Sequence, residues 1–149
     1  MQTKDNLRAK GQLRIIITAP DGSIREDRLE ENLVVSTGLN FIVSRMKDAT
    51  ASVMSNMSLG EGSTAATLAD TALQTEIAGS SVALSSTVAS ANTITYSATF
   101  GTDVGTGAVT EAGIFNSSTA GTMLCRTVFP VVNKQAADSM SITWTITLS

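Results

Sequence analysis

Apolar and hydroxyl-bearing residues alternate strictly near the C-terminal end of the chain. From Ser139 to Leu148, every second residue is apolar and the residues between them are Ser or Thr. Successive side chains of a β-strand point to opposite faces, so this pattern predicts a strand with one apolar face and one hydroxyl face. Residues 93–100 repeat the pattern, with Tyr96 and Phe100 on the apolar face.

Turn signals divide much of the remaining chain into shorter apolar stretches, which we also interpret as strands. Pro20-Asp21-Gly22 predicts a turn, because Pro fixes its own φ and Gly accepts a positive φ. Ala91-Asn92 is read as a second turn, and residues 117–121 have the length of a hairpin loop. The further predicted strands are residues 12–18, 23–29, 82–90, 108–116 and 122–129.

One segment has clear helical periodicity. Its apolar residues, spaced as i, i+3, i+4 and i+7, are Leu39, Ile42, Val43 and Met46. This spacing places them on one stripe and predicts an amphipathic helix over about residues 37–47, with Ser36 or Thr37 as its N-cap. A shorter helical turn is predicted over residues 70–77.

Several short strands and one helix predict a mainly β protein. We expect an antiparallel β-sandwich with a jelly-roll-like arrangement. The chain of 149 residues has the usual size of one domain, which we assign to residues 12–149. Residues 1–11 are expected to form an N-terminal arm outside the core.

Charged residues are concentrated at the start of the chain. Residues 1–48 contain fifteen of them, whereas residues 49–149 contain eight and are rich in Ser and Thr. Free-standing soluble domains commonly carry about 25–35% charged residues on their surface. A body this poor in charge favours a surface that neighbouring proteins cover, although a β-domain with a neutral hydroxyl face has the same composition.

Composition also argues against several classes of function. The chain has no His and one Cys, Cys125, so a Ser-His-Asp triad, a Cys-His pair or an ordinary zinc site is not expected. The net charge of −3 argues against a nucleic-acid partner. There is no apolar run long enough for a membrane span and no signal-peptide pattern. We expect no cofactor, no metal and no enzymatic activity.

Three local motifs fit structural roles better than chemical ones. Residues 101–107 are rich in Gly, but no Lys follows them, so a strand connection is favoured over a phosphate loop. Gly60-Glu61-Gly62 is read as a turn after a strand. Glu111 is predicted to pair with Arg126 if their two strands form a hairpin. A carboxylate-dependent glycosidase remains the enzymatic alternative, but no second carboxylate is placed opposite Glu111.

Five segments together resemble structural proteins of tailed bacteriophages. They are residues 57–66 (MSLGEGSTAA), 70–76 (DTALQTE), 110–116 (TEAGIFN), 126–130 (RTVFP) and 138–146 (DSMSITWTI). The resemblance covers most of residues 34–149 and does not include the charged segment before Asn32. It implies a protein of the virion, of the head-decoration or small tail-fibre-like kind, assembled in the cytoplasm of a bacterial host.

Within that resemblance, a compact domain without a long shaft favours a capsid decoration (cement) protein. Such a protein is expected to self-associate, with a trimer favoured, and to bind the major capsid protein. The alternative is a small tail, collar or fibre-adaptor protein involved in host attachment. The residues expected at contacts with neighbouring subunits are Lys4, Arg8, Lys10, Arg14, Glu111 and Arg126.

Overall fold

A computed structural model describes residues 7–149 and contains nine strands and one helix. In chain order these elements are β1 (Ala9–Thr18), β2 (Ile24–Val34), α1 (Ser36–Lys47), β3 (Asn56–Gly60), β4 (Val82–Ala83), β5 (Ser86–Ser90), β6 (Thr93–Phe100), β7 (Gly107–Phe115), β8 (Met123–Lys134) and β9 (Ser139–Leu148). The prediction of a mainly β fold with one helix is confirmed.

All nine strands belong to one curled antiparallel sheet. Its order is β4-β3-β7-β8-β2-β1-β9-β6-β5. β2 joins the two halves, because it pairs with β1 along most of its length but with β8 only at Leu33 and Val34. Beyond that point Arg28 spans the gap and donates hydrogen bonds to the carbonyl oxygens of Pro130 and Val131.

The two ends of the sheet are consecutive in the chain. β4 lies at one end and β5 at the other, and only Leu84 and Ser85 separate them. The Leu84 N–H donates to Ser55 on one side at 2.9 Å, and the Ser85 N–H donates to Ser97 on the other at 2.8 Å. The predicted strand 82–90 is therefore bent into two pieces, which pair at opposite ends of the same sheet.

Both halves of the sheet contribute their inner faces to a single core. The alternation predicted for β6 and β9 is observed: Tyr96 lies opposite Trp144, and Phe100 lies opposite Met140. The fully buried large apolar side chains of the core include Leu13, Ile15, Ile17, Met57, Leu59, Phe100, Ile114, Met140, Ile142 and Trp144. Because they come from β1, β3, β6, β7 and β9, the curled sheet closes on its own apolar face.

The helix forms where predicted but packs through a different face. α1 has Val35 as its N-cap, and this residue has no polar side chain with which to cap the helix. Thr37, one of the two predicted N-caps, lies inside the helix and its hydroxyl donates to the Met123 carbonyl oxygen at 2.8 Å. Gly38 is buried against β8, where any Cβ would overlap the Leu124 carbonyl oxygen. Of the predicted stripe, only Ile42 packs on the core, while Leu39, Val43 and Met46 are exposed.

The first strand begins earlier than expected. β1 starts at Ala9 and not at Gln12, so residues 9–11 of the predicted arm belong to the sheet. The ladder between β1 and β9 is extended by the backbone of Arg8, which exchanges two hydrogen bonds with Ser149. Residues 1–6 of the predicted arm, including Lys4, lie outside the described residues.

Candidate functional site

A long loop covers the outer face of one half of the sheet. It runs over residues 61–81, and several of its backbone groups bond to β3 and to the neighbouring side chains of β7 and β8. Leu73 of this loop packs in a small second apolar cluster with Val35, Phe115 and Met123. Most of the sequence segments 57–66 and 70–76 thus lies in this loop.

Glu111 lies beneath the loop and is fully buried, with 0% of its surface exposed. One carboxylate oxygen, Oε1, accepts hydrogen bonds from the N–H groups of Gly62 at 3.1 Å and Thr75 at 2.7 Å. The other, Oε2, accepts from the Gln74 N–H at 3.0 Å and from Arg126 Nε at 2.9 Å. Three N–H groups of the loop and Arg126 thus surround one carboxylate, which holds residues 62, 74 and 75 on β7.

Arg126 is the positive partner in this cluster and is only 2% exposed. Its Nη1 donates to Asp70 Oδ2 at 2.8 Å, and its Nη2 donates to the Thr64 carbonyl oxygen at 3.0 Å. The predicted pairing of Glu111 with Arg126 is confirmed, at 2.8 Å between Nη2 and Oε2. We name Asp70, Glu111 and Arg126 the carboxylate–arginine cluster.

The sequence placed Glu111 and Arg126 at contacts with neighbouring subunits, whereas both side chains lie inside this chain. The hydrogen bonds described for these side chains join members of the cluster to each other or to the loop. The cluster is therefore an internal contact that holds the loop on the sheet, and we call this its internal-clasp role. Partial burial raises the pKa of Asp70, but the hydrogen bonds from Thr67 and the Arg126 guanidinium lower it by more, and the carboxyl stays ionised.

The helical turn predicted over residues 70–77 does not form. This segment has no helical structure and contains an isolated bridge between Glu76 and Gly60. The N–H groups of Gln74 and Thr75 bind the Glu111 carboxylate. A charged acceptor buried beneath the loop therefore competes successfully with the helical hydrogen bonds that the local sequence favours.

Three of the four cations predicted near the N-terminus fall within the described residues and lie at the surface. Lys10 and Arg14 are exposed on β1, and Arg8 precedes it. Arg14 pairs with Asp27 on β2 through two hydrogen bonds of 2.9 and 2.6 Å. The hydrogen bond from Arg14 lowers the pKa of the Asp27 carboxyl, and burial of that carboxyl opposes the effect. These side chains are placed where a partner could reach them.

A second buried cation was missed by the sequence reasoning. Lys134 Nζ donates to the carbonyl oxygens of Gly101 at 2.8 Å and Asp138 at 2.9 Å, and burial lowers its pKa. The Asp138 side chain in turn binds Arg25. The signal was weak because the predicted strand ended at Phe129, whereas β8 continues to Lys134. This contact fixes one end of the Gly-rich connection 101–107.

That connection has the geometry of a turn between strands. Gly105 and Gly107 have φ values of 64° and 147°, which residues with a Cβ rarely adopt. The connection leads directly into β7. The predicted structural reading of the Gly-rich stretch therefore agrees with its conformation.

Several openings on the described surface offer space for a ligand or partner, among them a cleft and a groove. The cleft, of about 520 Å³, has both polar and apolar lining and lies between the long loop and the hairpin loop 117–121. An apolar groove of about 380 Å³ lies between α1 and the ends of β5, β6 and β9. The groove is lined by Phe41, Ile42, Arg45, Val53, Met54, Thr87, Ile94, Tyr96, Leu124, Ile146 and Leu148.

The outer face of β5, β6 and β9 is uncharged. Its side chains are opposite in direction to the buried ones and consist of hydroxyl residues and one valine, Val88. The Thr95 and Thr145 hydroxyls bond to each other across the strands at 3.0 Å. We name this surface the hydroxyl face; it comprises Ser86, Val88, Ser90, Thr93, Thr95, Ser97, Thr99, Ser141, Thr143, Thr145 and Thr147.

Acid–base and metal-binding groups are not gathered at either opening. Within residues 7–149, no group of three or more His, Cys, Asp or Glu side chains is placed to hold a metal ion. Cys125 is buried, and burial raises the pKa of its thiol well above the ordinary value. The same part of the chain has no helix with the length and apolar character needed to cross a membrane.

Comparison of the chain with protein-family models, with curated proteins and with solved structures finds no match.

Proposed function

We propose that this chain is a non-enzymatic structural protein of a bacteriophage particle, and more specifically a capsid decoration protein. In this proposal it self-associates, with a trimer favoured, and binds the lattice of the major capsid protein. Its role is to stabilise the head after assembly in the bacterial cytoplasm. The alternative within the same class is a small tail, collar or fibre-adaptor protein.

The hydroxyl face is the observation that carries the proposal. Three neighbouring strands present eleven outer side chains without a single charge. Covering a charged side chain with protein costs much more free energy than covering a hydroxyl that can form new hydrogen bonds. A broad neutral face is therefore suited to permanent contact with other proteins, which is what a component of a shell requires.

The carboxylate–arginine cluster gives further support. The resemblance to phage proteins rests on separate segments, and residues from three of them bind one another here: Gly62 with Glu111, and Glu111 with Arg126. The cluster gives these three segments a common structural role in holding the loop on the sheet. It also accounts for Glu111 and Arg126 without any catalytic role.

Abundance in the particle tests the proposal. We expect purified virions of the source phage to contain the chain in a copy number close to that of the major capsid protein, measured by quantitative mass spectrometry. Trace abundance would favour the tail or collar alternative. Absence from the particle would overturn the proposal as a whole, and cell-wall hydrolysis by the purified protein would revive the enzymatic reading.

A further inference from the structure

β5 is an unprotected edge strand. It pairs with β6 on one side only, and all five of its residues are exposed. Its register with β6 has no irregularity, and its sequence, STVAS, has no charged residue and no Pro. Natural proteins usually block such an edge with a Lys, a Pro or a bulge. The regular, uncharged edge is therefore free to accept another strand.

The peptide groups available at this edge follow from the pairing. Ser90 lies opposite Thr93 across the two-residue turn Ala91-Asn92, so this pair is hydrogen-bonded. Hydrogen-bonded pairs alternate along an antiparallel ladder, and the N–H and C=O groups of Thr87 and Ala89 consequently point away from β6. An added strand would bind these two peptide groups.

The apolar groove lies directly beside this edge. Thr87 is one of its lining residues, and the floor is formed by apolar side chains of the core, including Ile94, Leu124 and Ile146. Alternate side chains of an added strand point to the same face as Thr87 and Ala89. One large apolar side chain of that strand would therefore enter the groove.

The charge of the groove indicates which residues its occupant should carry. Among the described residues, Arg45 is the one charged residue that lines the groove; it lies over the Phe41 ring at 5.8 Å and donates to the Ala51 carbonyl oxygen at 2.8 Å. Lys47, in the same exposed helix end, pairs with Asp48 at 3.6 Å and adds no net charge there. No carboxylate lines the groove in that part of the chain. A carboxylate near the apolar side chain of the occupant would complement the Arg45 guanidinium.

A second copy of this chain fits the site poorly. The strands of residues 7–149 already belong to the sheet, and its two edge strands are β4 and β5. Toward the groove β5 presents only Thr87 and Ala89, which are too small to fill about 380 Å³. β4 has two residues. The occupant is therefore best supplied by a different protein.

We propose that the free edge of β5 and the adjacent apolar groove form a strand-addition site for an extended segment of a partner protein. The segment pairs with Ser86–Ser90, inserts one large aliphatic or aromatic side chain into the groove and places a carboxylate near Arg45. Main-chain pairing provides much of the affinity in such sites, and the side-chain pocket provides the specificity. This inference rests on the proposed function, because it describes the segment by which another protein of the virion would bind this chain.

End-blocked peptides of sequence Ser-Asp-Thr-Xaa-Thr-Asp-Ser provide the probe, with Xaa as Leu, Phe, Trp or Ala. The two Asp residues share a face with Xaa, so either strand direction is tested. In calorimetric titrations of the full chain, we expect the best large apolar residue to bind at least about tenfold more tightly than Ala. Replacing both Asp residues by Lys should weaken binding.

Two matched variants test the location. Thr87→Lys puts a charge on the groove side of β5, whereas Val88→Lys puts the same charge on the hydroxyl face of the same exposed strand. We expect the first to weaken peptide binding by at least about tenfold and the second by less than about twofold. Ala89→Pro, which removes an N–H at the free edge, should also weaken binding, and thermal unfolding checks that each variant is folded.

The inference is overturned if no peptide binds in preference to the Ala peptide, or if Thr87→Lys and Val88→Lys have equal effects. These results are separable from those of the copy-number measurement. An abundant virion protein that binds none of the peptides would retain the proposed function and lose this site. If the peptides bind selectively but the chain is absent from virions, the site is retained and the proposed function is lost.

Discussion

At the scale of single residues, the ion pair between Glu111 and Arg126 is notable because both side chains are buried. Glu111 and Arg126 lose their hydration on folding, and this cost is offset because the hydrogen-bonding groups described for both side chains are satisfied. A saturated network of this kind specifies one arrangement of the loop, since any displacement leaves a buried charge without partners.

Removing one member of the pair should be costly. We expect Arg126→Met to lower the free energy of unfolding by about 3–5 kcal/mol, because Glu111 remains buried without its counter-charge. In the double variant with Arg126→Met and Glu111→Gln, the loss of unfolding free energy should be smaller than the sum of the losses in the two single variants. Urea unfolding measures each value, and Arg14→Met, which breaks the exposed pair with Asp27, serves as the control with a much smaller loss. Equal losses for Arg126→Met and Arg14→Met would contradict the internal-clasp role.

Tyr96 should make stability depend on alkaline pH. Burial, with a smaller contribution from Cys125, raises the pKa of Tyr96 from 10.0 to about 12. The unfolded chain therefore loses this proton first, so the stabilisation is complete below pH 10 and is lost as pH rises toward 12. In urea unfolding measured from pH 10 to pH 12, we expect the free energy of unfolding to fall more for the wild type than for Tyr96→Phe. Parallel pH profiles would show that this hydroxyl has no part in the effect.

At the scale of elements, the sequence predicts features that depend on neighbouring residues. It does not predict features that depend on contacts between residues distant in the chain. β6 and β9 have the predicted bounds because alternation is a property of each strand alone. The pair Glu111–Arg126 was predictable because its strands are neighbours in a hairpin. The packed face of α1 was not, since it depends on the close approach of Gly38 to β8. The loop over residues 61–81 is likewise held by side chains distant in sequence.

The helix provides a direct test of that close approach. Ala is a better helix former than Gly, so an exposed Gly→Ala change in a helix normally stabilises by about 0.5–1 kcal/mol. At Gly38 the added Cβ meets the Leu124 carbonyl oxygen, and we expect Gly38→Ala to destabilise by roughly 1–3 kcal/mol. Chemical denaturation measures the change, with Asn40→Ala on the exposed side of α1 as the control. A gain in stability at position 38 would contradict the packing described here.

At the scale of the whole molecule, the curled sheet separates three surfaces with different chemistry. β1 and β2 carry charged side chains, β5, β6 and β9 form the hydroxyl face, and the outer face of β3, β7 and β8 is covered by the chain's own loop. The first two are exposed strand faces, and the apolar groove beside β5 is a separate opening. The neutral face suits permanent contact between copies, and the charged strands suit contacts that depend on ionic strength.

Self-association through the hydroxyl face is the corresponding prediction. Light scattering after size-exclusion chromatography should give a mass that is a multiple of 15.4 kDa, with about three times that value for the favoured trimer. Thr143→Arg places a charge on this face and should shift the protein toward the monomer, because the contact would then bury an unpaired charge. Asn133→Arg adds the same charge to an exposed position of β8 and should leave the mass unchanged. A wild-type monomer at high concentration, or equal dissociation by both variants, would show that copies do not meet through this face.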